Sequence, residues 1–347
     1  MQKECVSIQS KLFPIRQTKE SQGVVVPWEV RGYLEDFETA RKQGGVFDLS
    51  HWSVIEILGE DASDFLHRMS TCDLKKFDAG KIHHAAFLTG KAHTVTLGLL
   101  QAVDKGFHYI LPPSQGQIAW EHIEKFHFAE RFTTVDKSEE WSLFGLWNPA
   151  ARLATSLGLS ASSEPLRIHS VIWEGIPLET WKDDSRELLF WVKMKRKDDP
   201  PSFLSHLNAR KVELLGQRLF EYFRIKSAVP QVGLELSEKD IVLEGNFDRA
   251  VARNKGCYPG QEVVERIFTY GQVNRKLFPV EIKGGNGFPP VPFVLADGEK
   301  QAGQVVACIE SPEDRHCAVG LAYLHKQFWE TGQSFSPVPG ISVRRRG

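Results

Sequence analysis

No stretch of this 347-residue chain approaches the run of about 18 apolar residues that a membrane-crossing helix requires. Its start, Met1-Gln2-Lys3-Glu4-Cys5, lacks the apolar core of a secretory signal, and the opening segment is not an arginine-rich transit sequence. A surplus of one charge is missing as well. Lys and Arg total 43 against 44 Asp and Glu, a formal charge of −1, so no global field draws nucleic acid or an anionic membrane. The basic tail Arg344-Arg345-Arg346 is too short to change that and reads as solvated. Cysteine is sparse: Cys5, Cys72, Cys257, Cys308 and Cys317 form no Cys-x-x-Cys pair and no metal-ligand spacing. An odd count without a framework points to a reducing compartment, and the expectation is a cytoplasmic protein without nucleic-acid or membrane partners and without a bound metal. Repeats of solenoid period and low-complexity tracts are also absent. What remains is an ordinary globular composition, 41% hydrophobic and 25% charged, in a chain long enough for two or three domains.

Against these absences stands the run Lys255-Gly256-Cys257-Tyr258-Pro259-Gly260-Gln261-Glu262. Tyr-Pro-Gly is turn chemistry. Pro259 presets the backbone angle that opens a turn, and Gly260 supplies the positive φ that a type II turn needs next. Gly256 lets the backbone pass close to a neighbour just before the thiol. Such a turn fixes Cys257 between Lys255 and the pair Gln261 and Glu262, which suits a reactive or ligand-facing group. The alternative is a turn around a packed cysteine, with Gln261 and Glu262 bonding nearby backbone. A thiol reacts as thiolate, and the neighbouring charges leave the field undecided: Lys255, Arg253 and Arg266 against Glu262 and Glu265.

The rest of the chain reads as α+β. Residues 53–58 form a strand, and Asp61 caps a helix with Phe65, Leu66 and Met69 on one face. Residues 92–103 and 107–111 pair as a hairpin, and 115–128 make an amphipathic helix through Ile118, Ile123 and Phe126. Strand, helix, hairpin, helix is not the order of a doubly wound parallel sheet. Residues 166–174 and 188–193 read as further strands, 193–201 as an exposed connector, and 212–227 as a helix facing Leu215, Leu219, Phe220 and Phe223 inward. From residue 276 onward, short strands and Pro/Gly turns without a convincing helix before residue 322 suggest a small β-barrel. Cys308 and Cys317 bracket one hairpin there, as two reduced thiols.

The run at 255–262 resembles the Lys-Gly-Cys-Tyr-x-Gly-Gln-Glu signature of the YgfZ-type folate-binding proteins, relatives of the aminomethyltransferase (T-protein) of the glycine cleavage system. Other segments are similar to that superfamily: Gly45-Val46-Phe47-Asp48-Leu49-Ser50, the helix end Ser70-Thr71-Cys72-Asp73-Leu74, Leu219 to Ile225 followed by Val229-Pro230, Glu244-Gly245, and Gly271 with Arg275. The resemblance implies a folate-binding core over residues 1–274, two interleaved α+β domains around a central folate cavity that divide near residue 150. A C-terminal β-barrel over residues 275–347 completes it. It implies tetrahydrofolate or a related folate as ligand, with Arg224, Glu244, Lys255, Gly256, Tyr258, Gln261 and Glu262 toward the cofactor and Cys257 as the acting residue. For Arg224 the rival is a salt bridge with Glu221. Tyr222, Phe223 and Trp191 either flank a pterin or fill core, and Glu179 and Glu187 stand beside Glu244 as acidic partners.

One departure separates the branches. T-proteins carry an Asp in the strand after a Leu-Asn-x-x-Gly-Gly turn, whereas here no carboxylate occurs between Leu88 and Asp104, and Thr96 or Leu97 takes the place. Neither exchanges a proton near neutral pH, and His93 lies several residues early. The expectation is therefore a tetrahydrofolate-binding accessory protein for iron–sulfur cluster assembly or repair, with iron–sulfur client or assembly proteins as partners. The alternatives are a tetrahydrofolate-dependent aminomethyltransferase and a thiol enzyme pairing Cys257 with a histidine.

Overall fold

The computed structural model describes residues 3–21, 23–148, 151–160, 162–185, 189–284 and 287–346. The chain divides into two compact units, each assembled from separate segments: residues 1–66, 74–84 and 98–220 form one, and residues 67–73, 85–97 and 221–347 the other.

In the first unit, alternating sequence builds an antiparallel five-stranded sheet in the order His169–Trp173, Ile176–Lys182, Leu189–Lys195, Trp141–Trp147, Gly45–Asp48. One face carries Leu178, Phe190, Val192, Met194, Phe144 and Leu146 into a core closed by Phe203, Leu204 and Leu207 of the helix Pro200–Ala209. Each of these side chains is at least nine-tenths buried, which is worth about 2 kcal/mol apiece before the entropy of ordering them. A second sheet sets Ser53–Gly59 between Gly106–Leu111 and Phe132–Asp136. The expected hairpin across residues 104–105 is present, with Leu99 opposite Ile110 and Val103 opposite Gly106.

The second unit ends in a six-stranded sheet ordered Phe293–Asp297, Lys300–Glu310, Cys317–His325, Arg275–Gly284, Ile341–Arg345, Ser334–Phe335. Its first and last strands come into contact, so the sheet is nearly closed and barrel-like around Val280, Ile282, Val305, Ala322 and Leu324. Cys308 lies opposite Gly320 and Cys317 opposite Lys283, so this hairpin does not pair the two thiols. Among the described residues, no helix is long and apolar enough to cross a membrane.

Several local expectations need correction. In the helix Gln115–Phe126, Ile123 and Ala119 are buried, but Ile118 and Phe126 are exposed. Gly116 sets that facing: a Cβ there would lie 2.5 Å from Ser53 Oγ, so this side of the helix presses on the sheet. Residues 193–195 continue a strand, and Lys193, expected in an exposed connector, is fully buried. The helix expected from residue 212 begins at Gln217, because Leu214 first makes a parallel bridge to Val46. Leu188, the expected start of a strand, lies outside the described residues. A helix, Gln261–Tyr270, follows the Cys257 run directly, where the sequence reading placed none. Trp191, Tyr222 and Phe223 are all core, Trp191 stacking on Trp181 with centroids 5.9 Å apart.

The Asp-Leu-Ser segment has a structural task. Asp48 is wholly buried, and its carboxylate accepts from the amides of Ser7 (2.6 Å) and Ser50 (3.0 Å) and from the Ser50 hydroxyl (2.5 Å). Its backbone oxygen takes the Gln217 side-chain amide at 2.6 Å. Replacing it leaves two buried N–H groups unpaired, so Asp48→Ala is expected to lower unfolding free energy by about 2–4 kcal/mol. Urea denaturation of the two proteins checks this; a loss under about 0.5 kcal/mol would be incompatible with the described network.

Candidate functional site

Arg224, Glu244, Lys255, Gly256, Cys257, Tyr258, Gln261 and Glu262 all fall in the second unit. The anchor of the Cys257 loop is Lys255, only 8% exposed. Its ammonium donates to three backbone carbonyls around the end of the helix Ala62–Met69: His67 O at 2.6 Å, Ser70 O at 2.5 Å and Cys72 O at 2.9 Å. Carbonyls at a helix C-terminus have no intrahelical partner and carry the negative end of the dipole, so a cation is the fitting cap. The same ammonium lies 4.8 Å from the centre of the Tyr258 ring. Thr71 ties the neighbouring backbone together, donating its hydroxyl to Ala250 O at 2.6 Å and accepting from the Ala86 amide at 2.9 Å. Burial pushes the Lys255 ammonium down to about 8, with Cys72 and Asp73 pulling the other way. At pH 7 it remains charged.

After Lys255 the chain has no latitude. A Cβ on Gly256 would stand 3.2 Å from His67 Nε2, so the backbone passes close there as expected. Tyr258 O accepts from the Gln261 amide at 3.1 Å, and Gly260 takes φ 80°, ψ 0°, which is the type II turn. A Cβ on Gly260 would also lie 2.7 Å from Thr89 O and from Ala92 Cα, so glycine is required twice over. Gln261 then opens the helix Gln261–Tyr270, and its side chain donates back to Lys255 O at 3.2 Å. Glu262 is exposed in the first turn of that helix, where a carboxylate complements the dipole. Cys257 is exposed, held at both ends by this frame. Among the described residues, no histidine hydrogen-bonds its sulfur, and no group of three or more His, Cys, Asp or Glu is arranged for a metal ion.

Arg224 sits apart from the loop. It is 6% exposed, and its N–H groups go to Glu221, to both oxygens of Glu235 (2.8 and 2.9 Å) and to Val229 O (2.8 Å). Burial opposes its charge, but Glu221 and Glu235 outweigh that and hold it above the usual arginine value. The guanidinium thus has no N–H left over in this structure. The chain of contacts runs on: Glu235 O accepts from the Tyr323 hydroxyl at 3.1 Å, Arg275 lies over the Tyr323 ring, and Arg275 reaches Asp240 and Glu244. Glu244 also accepts from the Ile241 amide at 3.1 Å.

The segment after Leu88, which carries no carboxylate before Asp104, touches both of these groups. Its Thr89 and Ala92 pack on Gly260, while His93 bridges Ile241 and the Thr94 amide donates to Asp240 O at 2.8 Å. Thr96 is fully buried and Leu97 nearly so. Two buried hydroxyls are without a hydrogen-bond partner here, Thr94 Oγ1 and the Tyr258 phenol; burial raises the phenol to about 12 and keeps its proton in place. In the first unit, Glu179 is committed to Lys193 and Gln101, and Glu187 lies outside the described residues. The Cys–His contact that does exist, Cys5 Sγ to His51 Nδ1 at 3.6 Å, is sealed in the first unit, with burial raising the thiol and lowering the imidazole to about 4. Both stay neutral, so the pair is not an activated thiol.

Lys255→Met is expected to cost about 1–3 kcal/mol at pH 7 by leaving carbonyls without a donor. The sign of its pH dependence follows from linkage. The folded value lies below the ordinary 10.5, so the unfolded chain binds more protons between pH 8 and 10.5, and the contribution of Lys255 grows across that window. The neutral amine keeps two N–H donors for the carbonyls. Denaturation of both proteins from pH 7 to 10.5 should show the gap widening; a gap that closes would overturn the assignment.

Three comparisons bear on this architecture. The GCVT N-terminal domain matches residues 22–164. A chloroplastic Arabidopsis thaliana protein described as a transferase is 24% identical over 86% of this chain and 69% of its own length. An aminomethyltransferase of Rubrobacter xylanophilus is 26% identical over 87% of this chain and 82% of its own. The crystal structure of the glycine cleavage system aminomethyltransferase T from Bartonella henselae superposes with a TM-score of 0.83 at 16% identity, covering 100% of this chain and 97% of that one, and shares the fold. The domain match is confined to residues 22–164, and the full-length likeness to the Bartonella protein is one of fold.

Proposed function

We propose that this protein binds a tetrahydrofolate in its second unit without efficient one-carbon turnover, and presents Cys257 to iron–sulfur enzymes or their assembly proteins. The observation that carries the reading is a pairing of loss and retention. The strand that would bear a carboxylate has Thr96 and Leu97, both buried, while Cys257 is exposed on a loop fixed by Lys255 and the Gly260 turn. Asp240, whose carbonyl accepts the Thr94 amide, has its carboxylate spent on Arg275 and the Ser237 amide, so it does not stand in as a base.

Two buried hydroxyls of the second unit are the groups that a polar ligand would engage. Tyr258 keeps a buried proton with no acceptor, and Thr94 has a buried hydroxyl in the same state. These two would take the polar edge of a pterin, with Glu244 as the acidic partner on the adjoining segment. Lys255 and Arg224 hold the frame, since their donors are satisfied within the protein. Bound tetrahydrofolate supplies the nitrogen pair that carries one-carbon units; the chain itself contributes binding, orientation and an accessible thiol. A cluster would need further ligands from a partner, because one cysteine cannot hold it alone.

The second reading, a tetrahydrofolate-dependent aminomethyltransferase, is favoured by the names of several relatives, including the Rubrobacter protein. Calorimetry with tetrahydrofolate, run beside an assay for one-carbon release from an aminomethyl-lipoyl carrier, separates the two. Binding without release at an enzyme-like rate is expected, and rapid release would give the second reading the site. Tyr258→Phe should weaken tetrahydrofolate about three- to tenfold, the worth of one buried hydrogen bond. Cys257→Ala should leave binding within about twofold while abolishing rescue of iron–sulfur enzyme activity in a cell that depends on this protein. Full rescue by that variant would remove the thiol from the function.

A further inference from the structure

The five-stranded sheet of the first unit uses its two faces differently. One enters the core. On the other, antiparallel register sets Ser170 opposite Glu179 and Glu179 opposite Lys193, and one step further Ile172 opposite Pro177 and Lys195 opposite Trp141. These residues line an open cleft of about 510 Å³, a volume in the range of small-molecule sites.

The charge in this cleft is built. Lys193 is fully buried, and its three ammonium protons go to Gln101 Oε1 (2.8 Å), His108 Nδ1 (2.9 Å) and Glu179 Oε2 (2.9 Å), with the Trp141 ring centre 4.0 Å away. To accept at Nδ1, His108 must carry its proton on Nε2, which faces Glu56 at 3.3 Å. Burial and the two lysines hold that imidazole neutral, near 3. Burial lowers the pKa of this ammonium from the ordinary lysine value, with Glu179 pulling the other way, and its three acceptors fix it in place. Lys195 lies over the same indole, 5.6 Å from its centre, but is exposed, and neither it nor Lys197 has a carboxylate within ion-pair distance among the described residues. Beside them are Ile172, 79% exposed, and Pro177, also exposed. Three lysines, Lys193, Lys195 and Lys197, line the cleft against the two carboxylates of Glu179 and Asp198, which leaves a positive surplus beside an apolar floor.

We propose that this cleft binds a small carboxylate with a flat apolar body, its anionic group on Lys195 and Lys197 in the field of Lys193, and its body over Ile172 and Pro177 beside Trp141. The proposal is separate from the folate reading, which concerns the second unit. Its probe is 1-naphthoate, titrated calorimetrically into the full-length protein, with neutral 1-naphthalenemethanol as control.

A dissociation constant of about 1 mM or tighter is expected for a molecule of this size, and at least fivefold weaker binding of the alcohol. Lys195→Met removes one exposed charge and should weaken 1-naphthoate about fivefold, with no effect on folding. Ile172→Asp should weaken it about tenfold by placing a like charge under the ligand. The proposal fails if 1-naphthoate does not bind at about 10 mM, if the alcohol binds equally, or if Lys195→Met leaves affinity unchanged. It also fails if saturating 5-formyltetrahydrofolate displaces the probe, since the cleft would then belong to the folate site. Loss of folate binding alone leaves every arm of this test intact.

Discussion

A single ammonium organises the candidate site. By gathering the carbonyls of His67, Ser70 and Cys72, Lys255 joins a helix end near residue 70 to a loop near residue 257, across nearly two hundred positions of sequence. Free carbonyls at a helix terminus and a buried cation are each costly alone, and here each removes the cost of the other. The thiol two residues later therefore emerges from a fixed base. Without that contact the type II turn would still form locally, but only the close packing at Gly256 and Gly260 would set where it points.

Two frames in the second unit converge on one short strand-turn. The loop frame reaches it through Gly260 against Thr89 and Ala92, and the acidic frame through Ile241 and Asp240 against His93 and Thr94. The stretch from Thr89 to Thr94 is thus held from both sides. Arg224 has its charge absorbed by Glu221 and Glu235 inside the frame.

Local chemistry was legible in the sequence, and partnership was not. The turn at Pro259-Gly260, the close approach at Gly256, the hairpin across residues 104–105 and the barrel-like end all follow from rules acting over a few residues. Lys193 looked like part of a solvated charge run, since its partners Gln101, His108 and Glu179 lie far away in the chain. The helix Gln261–Tyr270 was hidden because its cap is a turn glycine, without a side-chain capping residue to announce it. The salt bridge of Arg224 with Glu221 was visible as an i,i+3 spacing, whereas Glu235, the deeper partner, was not. Asp48 gave no sign that its acceptors serve Ser7, although a buried Asp two residues before a Ser is a recurrent local bonding pattern.

That knot at Asp48 bears on how the chain is handled. Because the amide of Ser7 donates to an interior carboxylate, residues 5–13 belong to the body of the first unit. Trimming them would take the Ser7 amide from Asp48 and Val6 from the core, so a shortened version made for convenience would differ from the intact chain at its centre as well as at its edge.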